Sequence, residues 1–252
     1  MKASTEDVTP PSSPGERLRL FCFHHAGGAA SVFSGWPAAL PPGIDVVPVQ
    51  LPGRESRRRE AIPHDLDSLI TALDAELSDR VRAPYAFYGH SMGGTVAYQL
   101  AKRYAARDGD APVALLLGAC PAPHLRPALQ EASFAGEDTL VSAMVRIGGL
   151  SADVLRYPAW LRAATDLLRA DLRVLASERP GGEAVATPIH LFHGTGDPLV
   201  SEEELAAWAH YTTAECVLHR VDGGHFFVRD ADPGFFRTLA AILSPLPEPN
   251  IR

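Results

Sequence analysis

Three residues set far apart in the chain carry the side chains of an activated nucleophile. Ser91 lies in Gly89-His90-Ser91-Met92-Gly93, Asp197 in Gly194-Thr195-Gly196-Asp197-Pro198, and His225 in Asp222-Gly223-Gly224-His225-Phe226-Phe227. The first segment fits Gly-x-Ser-x-Gly, a sharp strand-to-helix turn that presents a serine hydroxyl at a helix N-terminus. A serine alone is a poor nucleophile at neutral pH. It needs a base within hydrogen-bond reach, and the base needs a carboxylate to orient it. The order serine, acid, histidine is that of this kind of elbow. His225 is therefore the expected base and Asp197 its partner. Asp222 is the rival acid, but it sits only three residues before His225 and its loop would have to fold back sharply.

The other histidines compete poorly. His90 should point away from its neighbour Ser91, and His193 ends an apolar run and reads as a packing residue. His24 and His25 adjoin without nearby carboxylate or cysteine ligands, so no metal site is expected. Asp166 and Asp171 fall in a helical stretch and read as a solvated face. A developing oxyanion needs two backbone donors. Met92, directly after the serine, supplies one N–H. The loop His25-Ala26-Gly27-Gly28-Ala29-Ala30-Ser31 supplies the other, with Ala26 preferred and Gly27 as the fallback.

These loops need a scaffold, and the hydrophobic pattern provides one. Strands are expected at 17–24, 44–50, 85–88, 113–118, 189–193 and 215–221, with Pro48 marking an irregularity in the second. Helical periods run over 65–82, after Ser91, from Ser201 to about Tyr211, and from Asp232-Pro233 onward. Alternating strands and helices indicate an α/β fold with a mostly parallel central sheet covered on both faces. Between 121 and 179 no strand is expected. Helical segments appear at 137–147, after Ser151 and from Pro158 to about Ser177, so this stretch is a candidate lid inserted into a core of 17–120 and 180–244. Residues 1–16 read as a flexible leader and 245–252 as a frayed tail.

The bulk numbers narrow the class. The 252 residues suit one such domain with an insertion. The charge of −7, with a pI near 5.8, disfavours nucleic acid and anionic membrane surfaces as partners. No apolar run is long enough to span a bilayer, and the N-terminus lacks a signal-peptide core. The three cysteines, Cys22, Cys120 and Cys216, give neither a disulfide framework nor metal spacing. They read as buried thiols in a reducing cytoplasm.

Further motifs carry a family resemblance. Phe21–Gly28 with Ala30-Ser31-Val32-Phe33 and Trp36, then Leu51-Pro52-Gly53-Arg54-Glu55, Gly89–Gly94, Leu168-Arg169-Ala170-Asp171, Gly196-Asp197-Pro198 and Gly223–Phe227 occur in order. Together they resemble the stand-alone type II thioesterases of polyketide and nonribosomal peptide assembly lines, over essentially Leu18 to Leu243. His24 stands where that family commonly has proline. The resemblance implies an α/β-hydrolase fold with a helical lid and no cofactor. It also implies hydrolysis of acyl groups from the phosphopantetheine arm of acyl or peptidyl carrier proteins, by a monomer. Such carriers are usually acidic, so docking would use a local basic patch. Arg54, Arg57, Arg58 and Arg59 are the candidates, with Gly27 and Phe226 as further contacts. The alternatives are an esterase or acyltransferase acting on small free esters or thioesters, a catalytically inert binding module, and a cyclising thioesterase.

Overall fold

The computed structural model describes residues 17–107, 111–125, 136–179, 181 and 184–244. The leader and tail expected from sequence lie outside these residues. Six parallel strands form one sheet in the order β2-β1-β3-β4-β5-β6. They are β1 (Leu18–Phe23), β2 (Ile44–Val49), β3 (Tyr85–His90), β4 (Leu115–Gly118), β5 (Ile189–Gly194) and β6 (Cys216–Val221). The α/β reading and the parallel sheet are therefore correct. β2 runs unbroken past Pro48, which lies opposite Cys22 in the β1 register. An edge strand needs ladder donors on one side only, so the proline is tolerated there.

Both faces of the sheet are buried. Phe21 and Phe23 face one core with Leu69, Leu73, Val96 and Leu172. Leu20 and Cys22 face the other with Trp36, Phe235 and Leu239. The period-two alternation along β1 thus serves two apolar layers rather than one wet and one dry face.

The helices follow the sequence signals. α1 (Trp36–Ala39) and α8 (Pro233–Leu243) cover one face, while α2 (Leu66–Leu77) and α3 (Met92–Ala105) cover the other. Asp232 caps α8 by accepting from the Gly234 and Phe235 amides. α7 (Glu202–Ala206) opens with a capping box between Ser201 and Glu204. Beyond it, Ala207–Tyr211 tightens to a 3-10 helix rather than continuing as α. In that turn the Trp208 indole donates to the Cys120 carbonyl at 2.7 Å, tying the turn to the end of β4.

Among the described residues, three helices lie between β4 and β5: α4 (Glu137–Arg146), α5 (Ala152–Arg156) and α6 (Pro158–Ala176). Gly148 ends α4 at φ +72°, and its neighbour's amide, that of Gly149, bonds the Met144 carbonyl at 2.8 Å. That left-handed step is cheap only for glycine. α6 carries Leu168, Leu172 and Leu175 into the core, so this segment packs onto the sheet domain. Cys22 and Cys120 are buried free thiols, whereas Cys216 is only partly covered. No helix among the described residues is long and apolar enough to cross a membrane.

Candidate active site

Ser91 sits between β3 and α3 with φ 53° and ψ −120°. This is a disfavoured conformation for a residue with a side chain, held by its surroundings. The close approach is what demands the flanking glycines. A Cβ on Gly89 would overlap the Gly93 carbonyl, and one on Gly93 would overlap the Phe23 carbonyl at the end of β1. The turn is pinned further by the Ser91 amide donating to Gly118 O at 2.8 Å, and by the Gly94 amide donating back to Ser91 O at 2.8 Å.

The chain brings the other two residues to this turn. His225 Nε2 lies 3.2 Å from Ser91 Oγ, and His225 Nδ1 lies 2.8 Å from Asp197 Oδ2. The other Asp197 oxygen accepts the Leu199 amide at 2.8 Å. Both side chains of the acid–imidazole pair are almost wholly buried. Asp222 is not the imidazole's partner. Asp197 follows β5 and His225 follows β6, at the strand C-termini where parallel sheets gather reactive groups. The two loops are joined directly: the Gly196 amide donates to Gly223 O at 2.8 Å.

Histidines outside this trio hold it in place. His90 Nε2 lies 2.7 Å from the His225 carbonyl. A carbonyl only accepts, so His90 carries its proton on Nε2 and receives the Tyr88 hydroxyl on Nδ1 at 3.2 Å. Burial is the main cause that lowers the His90 pKa to about 3, which keeps the ring neutral. His193 Nε2 likewise donates to Val200 O at 3.0 Å and so supports the loop that carries Asp197. This support of the His225 backbone by the His90 ring has no counterpart in the sequence reading.

Asp171, Arg54 and Gly27 each stand differently from their sequence reading. Asp171 is not on a solvated face. It is 1% exposed and forms a bidentate pair with Arg54, both contacts being 2.7 Å. Arg54 is itself 5% exposed, so it is not available to dock a partner. The signal was present in the spacing. Asp171 stands at i+3 from Leu168 and precedes Leu175 by four, placing it on the apolar stripe of α6. Gly27 also changes role: its amide donates to Asp171 Oδ2 at 2.7 Å and is not free to serve an oxyanion. Among the described residues no internal acceptor meets the amides of Ala26 or Met92.

Of the remaining basic run, Arg57 is paired with Glu60 and Glu76, while Arg58 and Arg59 are exposed. Phe226 packs its ring against His225 at 4.9 Å and His25 at 4.8 Å between centroids, with the Arg229 guanidinium 4.3 Å above it. Ala26, Ser91, Met92 and His225 line one cavity of about 30 Å³. Its other walls are mostly apolar, including Ala122, Leu172, Leu175 and Val200, with Glu178 the acidic exception. Among the described residues no cluster of His, Cys, Asp or Glu has the makings of a metal site.

Comparison with known proteins now decides the family. The Thioesterase domain model matches residues 18–243. This chain belongs to the thioesterase family. It is 34% identical over 214 residues to the probable cadicidin biosynthesis thioesterase of Streptomyces griseus, covering 84% of this chain but only 59% of that protein. The structure of RedJ, a thioesterase from the prodiginine pathway of Streptomyces coelicolor, superposes with a TM-score of 0.84 at 30% identity over 94% of this chain and 97% of that one. The type II thioesterase BorB from the borrelidin cluster gives 0.81 at 32% identity over 96% and 100%. The resemblance read from the motifs is thereby confirmed at the level of family and α/β-hydrolase fold, and the enzyme is a serine thioester hydrolase.

Proposed function

We propose that this thioesterase removes stalled or misprimed acyl groups from the phosphopantetheine thiol of carrier proteins in polyketide or nonribosomal peptide assembly. The contact between His225 Nε2 and Ser91 Oγ at 3.2 Å carries the reading. His225 takes the hydroxyl proton as Ser91 Oγ attacks the thioester carbonyl carbon. Asp197 holds the imidazole in the Nδ1–H tautomer and stabilises the imidazolium. The negative charge on the carbonyl oxygen meets the Ala26 and Met92 amides, each contributing about 3 kcal/mol to lowering the barrier. Collapse expels the pantetheine sulfur with the proton from His225 and leaves an acyl-serine. A water, deprotonated by His225, then attacks that ester, releasing the free acid and returning the proton to Ser91. No step needs a cofactor.

α6 walls the cavity through Leu172 and Leu175, the inserted segment that carries it acts as the lid, and the partner is the carrier protein that presents the acyl arm. Arg58 and Arg59 remain as basic contacts for it. The enzyme works as a monomer in the cytoplasm. The test is release of free acid from acyl-loaded carrier proteins compared with turnover of p-nitrophenyl esters. Carrier-bound thioesters should be preferred and Ser91→Ala should be inactive. A strong preference for the small free esters would overturn the reading.

A further inference from the structure

Glu178 follows the end of α6 and lines two spaces at once. One is the cavity that holds Ser91 and His225, where it meets Thr95, Cys120 and Leu175. The other is an open groove of about 490 Å³ on the outer surface, shared with Asp65, Ser68, Lys102 and Arg179. Its carboxylate is fixed by Gln99, whose amide donates to Oε1 at 3.1 Å. Gln99 lies seven residues beyond Met92 on α3, so this contact is about 10 Å along the helix from the oxyanion donor. Thr95, between them, lines the same cavity. The inner space runs beside α3 at Met92 and Thr95, and among the described residues Glu178 alone lines both it and the groove.

We propose that Glu178 is the end wall of the acyl pocket and sets the longest acyl group this enzyme hydrolyses. The inference rests on the acyl-serine reading above. The cavity holds about one water-sized group as it stands, and its walls near Ser91 are aliphatic. A short acyl chain therefore fits with small adjustments of leucine side chains. A longer alkyl chain meets a polar carboxyl that is held by Gln99. Burial pushes the Glu178 pKa up to about 7, as expected of a carboxyl largely withdrawn from water. Truncating this side chain joins the cavity to the groove and gives a long chain an exit.

The test is the ratio of kcat/KM for decanoyl against propionyl thioesters of N-acetylcysteamine. Glu178→Ala should raise that ratio at least tenfold. Glu178→Gln, which keeps the volume and the contact to Gln99, should keep the wild-type ratio. Glu178→Asp covers a failure of the alanine variant to fold, and should shift the ratio the same way by less. An unchanged profile in the truncated variants, or an equal shift in Glu178→Gln, overturns the proposal. Labelling of Ser91 by a fluorophosphonate separates the two layers. If Ser91 is not labelled and Ser91→Ala still hydrolyses thioesters, the acyl-serine reading fails. If Ser91 is labelled and the profile does not move, only the role of Glu178 fails.

Discussion

Arg54 and Asp171, 117 residues apart, meet through two 2.7 Å contacts in a site from which water is almost wholly excluded. Asp171 also accepts the Gly27 amide, and Arg54 donates from Nη1 to the Gly28 carbonyl at 3.5 Å. The pair therefore fastens the loop carrying the Ala26 amide to a helix of the inserted segment. Removing one partner leaves the other charge buried and uncompensated, which costs about 3–5 kcal/mol. Asp171→Ala should lower stability by that order in urea denaturation. Replacing both, as Arg54→Met with Asp171→Leu, should recover most of the loss. The double variant should still be slow in kcat, because the loop amide is no longer aimed. Full activity in the double variant would refute the positioning role.

Asp197→Asn tests the acid directly. The amide cannot hold the imidazole in the same tautomer, so kcat should fall by about 10⁴-fold. Asp222→Asn should change kcat less than threefold. Steady-state kinetics on one acyl-carrier substrate suffices for both.

His24, His25 and His90 are buried as neutral rings, with pKa values lowered mainly by burial: to about 3 for His24 and His90, and well below 6.5 for His25. Unfolding returns each to the ordinary value near 6.5. Below that pH the unfolded chain binds more protons, so stability should fall as pH drops from 6.5 toward 3. The expected slope is about 1.4 kcal/mol per pH unit for each histidine. Urea denaturation at pH 7 and pH 5 measures it, and His90→Gln should reduce the slope by one proton.

Glu178 acts in the opposite direction. Burial raises its pKa from 4.5 to about 7, against the lowering effects of Gln99 and Lys102. The folded state then holds a proton that the unfolded state releases. Its contribution to stability is complete below pH 4.5 and is lost as pH rises through 7. Glu178→Gln should therefore gain thermal stability relative to the wild type as pH rises from 4.5 to 7, with no further gain above. A stability difference that does not change with pH would contradict this.

Much of the fold was legible because each element announced itself locally. Gly89 and Gly93 marked the elbow, Ser201 with Glu204 marked the start of α7, and Asp232-Pro233 that of α8. The serine, acid and histidine were legible as types in strand-end loops. Their meeting depends on sheet order, which no local pattern encodes. What was missed involves polar groups whose partners are remote. Arg54 looked like the start of a surface arginine run because its partner is 117 positions away. The role of His90 was hidden for a similar reason: its acceptor is a backbone carbonyl on another loop, and carbonyls leave no trace in residue identity. The 3-10 turn at Ala207–Tyr211 carries an indole contact to the Cys120 carbonyl just after β4, a remote partner that helix periodicity does not register.

The acid and the imidazole are carried on neighbouring strands joined over six register pairs from Ile189 to Gly194, and their loops are stitched by the Gly196 and Gly223 backbones. The alcohol stands across β4, whose register with β5 covers only four pairs. A fluctuation that loosens the seam between β4 and β5 therefore divorces nucleophile from base while the hydrogen-bonded acid–imidazole half travels intact. Heat inactivation of this enzyme should begin with an imidazole still clasped to its carboxylate and a hydroxyl with nothing to take its proton.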